Sequence, residues 1–169
     1  MSEYTAVLCR SLGYDEDEGC KVSLAAMMHD VGNIMVPESI LEKPGKLTPE
    51  KFGVVKKHTV FGKQMLEKSP GELFNISTEI AYQHHERCDG TGYIGLKGEE
   101  ISPYARCDAL ADVFDALVSR RSYKKPWQPK EAYNEIVSQS GKHFDPTVVG
   151  AFVNNYDKFL GIMERYPDE

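Results

Sequence analysis

Three predicted helices of this chain begin with a residue that commonly caps helices followed directly by proline, and this repeated signal constrains the fold most. The pairs are Thr48-Pro49, Ser102-Pro103 and Asp145-Pro146. Proline suits the first helical position because its φ is already close to the helical value and its missing N–H would have no partner there. The pairs therefore predict helices over roughly 49–67, 103–119 and 146–164.

Apolar residues elsewhere repeat at helical spacing, and no segment alternates with a period of two. Tyr4, Val7, Leu8 and Leu12 form one stripe, and a second runs from Leu24 to Val31. Further helices are expected over 72–86 and 129–138. Two long irregular segments, 33–47 and 89–102, are rich in glycine or proline, and loops of this length are usually functional. The chain is therefore predicted to be one all-α domain, a helical bundle with two long irregular loops.

Charge and cysteine content exclude several classes of protein. The net charge of −6 argues against sequence-independent DNA binding, so an anionic ligand would need a local cluster of cations. The four cysteines form no C-x-x-C pair, and 169 residues with 41% apolar content can bury a core without disulfides. No apolar run is long enough for a signal peptide or a membrane span. We expect a cytoplasmic protein with no DNA or membrane partner.

Histidines and aspartates recur at intervals of about one helix and one connection. His29 to His58, His58 to His84, and His85 to Asp112 are separated by 29, 26 and 27 residues. A helical bundle would return such residues to one level of its core, and Asp30, next to His29, could bridge two ions. Imidazole and carboxylate ligands suit Fe, Mn, Zn or Ni. The spacing alone leaves a metal site and ordinary core or surface histidines equally open.

Longer motifs resemble the HD-GYP domains, a branch of the HD metal-dependent phosphohydrolases. In order they are HD, K-x-H, HHE-x-x-DG-x-GY and ALADVFDAL-x-x-x-R-x-Y-K, within segments that cover most of residues 25–152. The resemblance implies an HD-domain helical bundle with two divalent metals, Fe or Mn foremost and Zn, Ni or Mg as alternatives. The implied ligands are His29, Asp30, His58, His84, His85 and Asp112. The implied reaction is hydrolysis of cyclic di-GMP to linear pGpG or GMP, and some relatives prefer a mixed cyclic GMP-AMP.

The resemblance also implies roles for residues around the metals. Asp30 would bridge the metals, and Asp115, beside the metal-bound water, would either handle a proton or support the ligands without binding metal; both are candidate catalytic residues. Arg121 and Lys124 match phosphate and guanine contacts. Two residues of the glycine-rich loop, Gly92 and Tyr93, are further candidate substrate contacts; for Tyr93, packing on a purine and a structural hinge remain equally open. Asp108, on the same helical stripe as Asp112, is expected on a solvated face.

Three departures from the family pattern bear on activity. Asn33 stands where the family's HD-x-GK motif has lysine, and Gly92-Tyr93-Ile94-Gly95-Leu96 lacks the family's proline. A further metal-binding histidine, usual on the preceding helix, would fall before Met1. We therefore expect a single HD-GYP-like domain over residues 1–169 that lacks the start of its first helix and any upstream regulatory domain.

Three functional hypotheses remain. The first is a metal-dependent cyclic dinucleotide phosphodiesterase. The second is a catalytically weak or inactive signalling module that acts through protein partners such as a cyclase domain. The third is an HD nucleotidase for another phosphate ester. A homodimer is an option that no apolar stripe in the sequence identifies.

Overall fold

The structure, a computed structural model, describes residues 1–43, 45–120 and 125–166. Over these ranges the chain forms ten α-helices: α1 (Ser2–Ser11), α2 (Glu16–Ala26), α3 (Glu38–Leu41), α4 (Pro49–Lys56), α5 (His58–Leu66), α6 (Glu72–Gln83), α7 (Pro103–Val118), α8 (Pro129–Ser138), α9 (Pro146–Asn154) and α10 (Tyr156–Arg165). Short 3-10 helices cover Val31–Met35 and Gly98–Glu100. No strand occurs among the described residues, so the predicted all-α class is confirmed. No described helix combines the length and apolar character that crossing a membrane requires.

Two of the three predicted proline-linked caps form as expected. The Thr48 hydroxyl accepts a hydrogen bond from the Lys51 backbone N–H at 3.4 Å, and the Asp145 carboxylate accepts one from the Thr147 N–H at 2.7 Å. Ser102 is the N-cap residue before Pro103, as predicted, but its hydroxyl makes no hydrogen bond to the first turn of α7. Its hydroxyl donates to the Glu79 carboxylate instead, so it ties the start of α7 to α6.

Two predicted long helices are each divided in the structure. The helix predicted over 49–67 ends at Lys56 and restarts at His58, because His58 Nδ1 and Thr59 Oγ1 bond the Val55 and Lys56 carbonyls of the last turn of α4. The helix predicted over 146–164 breaks at Asn155, whose amide donates to the Ala151 carbonyl. Such side-chain bonds compete with the backbone ladder.

Other boundaries also differ from the prediction. The helix predicted over 72–86 ends at Gln83, so the two histidines after it lie beyond the last turn. Part of the first irregular segment forms the short helix α3.

An aromatic cluster joins the two ends of the chain to α7. The Tyr4 ring of α1 stacks on Phe159 of α10 at 4.6 Å, and Phe114 of α7 meets Phe159 at 5.1 Å. The apolar stripe of α2 is only partly buried: Leu24 and Met27 are 54% and 69% exposed. The core around this cluster includes buried residues of α1, α2, α6, α7, α8, α9 and α10. The site below is formed at the ends of α2, α5 and α6.

Candidate metal centre

Three helix ends bring four of the predicted ligands together. Asp30 follows α2, His58 opens α5, and His84 and His85 follow α6. Each of these residues offers a ligand atom, and these atoms all lie within 4.8 Å of one another. The convergence expected from the sequence spacing is therefore present for these four residues, which we call the His/Asp cluster.

Glycine allows the elements around the cluster to approach this closely. A Cβ built on Gly32 would lie 1.9 Å from the His58 carbonyl oxygen and 2.5 Å from the Gly62 backbone nitrogen. Only glycine, which has no Cβ, can occupy this position. The turn after Asp30 therefore packs directly against the backbone of α5. This contact sets the position of Asp30 relative to His58.

Backbone carbonyls orient three of the imidazoles. The Nδ1 atoms of His29, His58 and His84 lie 2.8, 2.7 and 3.1 Å from the carbonyl oxygens of Ala26, Val55 and Ile80. Because a carbonyl oxygen only accepts, each Nδ1 carries a proton, and in the neutral ring Nε2 is then the nitrogen with a free lone pair. Histidines that bind metals are commonly held in this way.

The free nitrogens and the carboxylate face one another as ligands of a shared cation would. His58 Nε2 and His84 Nε2 are 3.4 Å apart. Two nitrogens about 2.1 Å from one ion in tetrahedral geometry would be separated by about the same distance. Asp30 Oδ1 lies 3.3 Å from His58 Nε2, whereas Asp30 Oδ2 lies 3.5 Å from His29 Nε2. The two oxygens of Asp30 thus face different histidines. Imidazole nitrogens together with a carboxylate are a ligand set that fits a divalent metal ion.

The environment of the cluster keeps two imidazoles neutral. Burial lowers the pKa of His84 well below its usual value, and the neighbouring histidines lower it further. Burial, with His58 close by, lowers the pKa of His85 to about 4. For His29, burial lowers the pKa, but the charges of Asp108, Asp30 and Asp112 outweigh it and raise the pKa. Since a metal ligand must be an unprotonated imidazole, His84 and His85 are ready to bind near neutral pH.

Two predicted site residues of α7 are not among the four clustered residues. Asp112 is on α7, close enough for its charge to raise the pKa of His29, but it is not one of the residues within the 4.8 Å cluster. Asp115, also on α7, has its carboxylate 3.2 Å from the amino group of Met1. Arg121 and Lys124 lie outside the described residues.

Glu86, which the sequence analysis did not single out, organises the glycine-rich loop. Its buried carboxylate accepts hydrogen bonds from the N–H groups of Ile94 and Leu96, both at 2.8 Å. A Cβ on Gly92 would lie 2.6 Å from the Glu86 Cα, which is why glycine occupies that position. The signal in the sequence was the glutamate directly after the histidine pair. With the loop held in this way, the Tyr93 ring lies 4.5 Å from the His85 ring.

Asp108 is the clearest error of the sequence analysis. It was expected on a solvated face, but it is fully buried on α7. Its Oδ1 accepts a hydrogen bond from the Thr5 hydroxyl at 3.1 Å, and Oδ2 has no hydrogen-bond partner in the described part of the chain. Burial, with Asp112 adding a further charge, raises its pKa to about 7, although the nearby His29 opposes the shift.

Comparison with known proteins places this geometry in a family. Residues 1–148 match the HD domain family. A cyclic di-GMP phosphodiesterase of Thermotoga maritima is 43% identical over 163 residues, which cover 96% of this chain and 44% of that protein. A 3'3'-cGAMP-specific phosphodiesterase 2 of Vibrio cholerae is 39% identical over 166 residues, covering 98% of this chain and 32% of that protein. The chain thus spans less than half the length of either relative.

A solved structure shows the same fold. It is Bd1817, an HDG"Y"P protein from Bdellovibrio bacteriovorus, with a TM-score of 0.67 and 23% identity over 92% of this chain and 51% of that one. Taken with the family match and the order of the HD, HHE and GY motifs, these similarities show that the chain belongs to the HD domain family and to its HD-GYP branch.

Proposed function

We propose that this domain hydrolyses a phosphodiester bond of a cyclic dinucleotide, with cyclic di-GMP as the principal substrate, at a centre of two divalent metals. The observation that carries the proposal is the His/Asp cluster, with the Nε2 atoms of His58 and His84 3.4 Å apart. The substrate class comes from the similar proteins, which are named as phosphodiesterases of cyclic di-GMP or of 3'3'-cGAMP.

The ligands divide into two groups around Asp30. His58, His84, His85 and Asp30 Oδ1 would hold one metal, and His29, Asp112 and Asp30 Oδ2 the other. When bound, the metals supply a hydroxide at neutral pH and polarise the phosphoryl group. Imidazoles mixed with carboxylates favour Fe or Mn, with Zn or Ni as alternatives and Mg, which prefers oxygen ligands, last.

The remaining roles belong to the chain itself. The backbone carbonyls behind the three imidazoles keep their Nε2 atoms directed at the centre. Asp115, partly exposed on α7 with its carboxylate 3.2 Å from the Met1 amino group, would handle a proton beside the metals or hold a group that contacts them. Gly92 and Tyr93 border the substrate, and Arg121 and Lys124 bind its phosphate and guanine. Such a substrate is an intracellular messenger, which suits the cytoplasmic location inferred from the reduced cysteines.

Asn33 supports a second candidate function, a catalytically weak signalling module. A neutral amide replaces the lysine that the family places near the scissile phosphate, so one positive charge is missing. Such a module would bind metal or nucleotide and act through partners such as a cyclase domain or a second copy of the chain.

Metal content followed by turnover tests the proposal. The protein would be reconstituted without oxygen with Mn²⁺ or Fe²⁺, and the metal per chain measured before cyclic di-GMP and 3'3'-cGAMP are supplied. We expect about two metals per chain, with hydrolysis that is lost by ~100-fold or more in His84→Ala. His143→Ala is the matched control, because the His143 ring stacks on Phe144 at 4.2 Å and is not one of the clustered residues.

The outcomes separate the two candidate functions. Fully loaded protein that forms no product supports the signalling module, and Asn33→Lys then tests whether the missing charge is the cause. Protein that binds no metal, or a His143→Ala variant that loses metal as His84→Ala does, would contradict both.

A further inference from the structure

A lysine lies between two aromatic rings at the edge of the His/Asp cluster. The Lys56 ammonium is 5.1 Å from the centre of the Phe52 ring and 4.8 Å from the centre of the Tyr93 ring. The Tyr93 ring in turn lies 4.5 Å from the ring of His85, a predicted metal ligand. One aromatic ring therefore separates this ammonium from the candidate metal centre.

In the described part of the chain, no carboxylate is paired with the Lys56 ammonium. No acidic group lies within ion-pairing distance of its ammonium in the described ranges. Lys21 of α2 shows the contrast, since both Asp17 and Glu72 lie 2.6 Å from its ammonium. The protein has a net charge of −6, yet this half-buried ammonium beside the candidate metal centre has no paired anion among the described residues. It is therefore suited to bind an anionic ligand.

The rings beside Lys56 offer apolar surface to the same ligand. Phe52 is 42% exposed, and it meets Tyr93 edge to face at 6.2 Å with an interplanar angle of 88°. The two rings thus form a corner with the ammonium beside both of them. A purine can pack on such a surface, because every base presents a flat π-face.

Resting on the proposed function, we propose that Lys56 and Phe52, to which the family resemblance gives no role, form a substrate subsite together with Tyr93. Lys56 binds a non-bridging oxygen of the substrate's phosphodiester and supplies from α4 the positive charge that Asn33 lacks. Phe52 contacts the adjoining nucleobase. The subsite takes a purine nucleotide whose phosphate reaches the metal centre.

The phosphate contact of Lys56 is tested by removing its charge while keeping its packing. Lys56→Met retains an unbranched apolar side chain against both rings, and Lys56→Arg retains the charge. We expect Lys56→Met to weaken binding of cyclic di-GMP, measured by calorimetry, by about tenfold or more. It should also lower the slope of log affinity against log salt concentration by about one. Lys56→Arg should restore most of the affinity, and metal content should be unchanged in both variants.

Lys130→Met is the matched control. Lys130 lies over the Tyr133 ring on α8 at 4.1 Å, a similar cation–π contact that involves none of the cluster residues. We expect its affinity and salt slope to equal those of the wild type. Equal affinity for Lys56→Met and wild type, or an equal loss in Lys130→Met, would overturn the subsite.

A second substrate separates the base contact from the phosphate contact. Phe52→Ala should raise the KM for cyclic di-GMP several-fold but leave the KM for methyl 4-nitrophenyl phosphate, a diester without a purine, unchanged. Lys56→Met should raise both. If the wild-type protein binds cyclic di-GMP but does not hydrolyse it, the proposed reaction is refuted. The subsite is then still tested by the effect of Lys56→Met on the affinity. Wild-type protein that binds no cyclic dinucleotide would overturn the subsite as well.

Discussion

Replacing the buried Asp108 by asparagine should change how the stability of the protein depends on pH. The carboxyl group is fully buried, one oxygen accepts a bond from the Thr5 hydroxyl and the other has no partner among the described residues. An asparagine has nearly the same shape, its amide oxygen can keep the bond from Thr5, and it does not titrate. Asp108→Asn therefore removes the ionisation and little else.

The magnitude follows from the shifted pKa. Burial raises the pKa of Asp108 from 3.8 to about 7, so the native state keeps a proton that the unfolded chain releases near pH 4. Between these values the native state binds one proton more, and the free energy of unfolding falls by about 1.4 kcal/mol per pH unit as the pH rises. Above pH 7 the Asp108 carboxyl is ionised in both the native and the unfolded state, so the loss of unfolding free energy stops growing. It then amounts to up to about 4 kcal/mol.

Urea unfolding followed by circular dichroism at several pH values, with a chelator present, measures this effect. The quantity of interest is the difference in unfolding free energy between Asp108→Asn and wild type, because titrating groups that do not interact with Asp108 contribute equally to both and cancel. We expect this difference to increase in favour of the variant from pH 4 to pH 7 and then to level off. Asp157→Asn, which changes an exposed carboxylate on α10, should show no such trend. A flat difference, or a wild type that gains on the variant as the pH rises, would refute the reasoning.

Three further predictions concern the site. Gly32→Ala places a Cβ 1.9 Å from the His58 carbonyl oxygen. Unfolding experiments should show a loss of about 2 kcal/mol or more in the free energy of unfolding, and metal titrations should show weaker binding. Gly53→Ala is the control, because nothing lies within 4 Å of its Cβ, and it should stabilise α4 by about 0.5–1 kcal/mol. Glu86→Gln leaves one amide oxygen for two backbone donors, so it should cost about 1–3 kcal/mol and raise the KM for substrate while metal content stays the same. The native pKa of His85 is about 4, below the ordinary 6.5, so the metal-free protein should lose stability as the pH falls from 6.5 towards 4. His85→Asn should reduce that loss. An unchanged dependence of stability on pH in the variant would contradict the lowered pKa of His85.

Residues whose partners are close in sequence behaved as the sequence predicts. Thr48 and Asp145 cap their helices because their acceptor oxygens need only reach N–H groups two or three residues ahead. The metal ligands could be predicted from the order and spacing of the motifs, and four of them do lie together. In each case the chain carries the needed information within a short segment or a repeated interval.

Tertiary packing decided which helical face is buried and which polar group faces another element. Met27 and Asp108 illustrate this, since the apolar residue is 69% exposed and the acidic one is fully buried. Ser102 is the N-cap residue of α7, but its hydroxyl donates to the Glu79 carboxylate on α6 and makes no hydrogen bond to the first turn of its own helix. Tyr93 lies against the Lys56 ammonium because Glu86 holds the glycine-rich loop, which is distant from Lys56 in the sequence.

The sequence by itself determined the helical class, most helix starts and the chemical identity of the candidate metal ligands, because capping, periodicity and residue type act over a few neighbouring residues. Only the tertiary structure decided how the two oxygens of Asp30 are directed, which carboxyl group is buried and which lysine stands near the centre. Those outcomes depend on distances between helices that are far apart in the chain, and such distances are set by packing rather than by local preference.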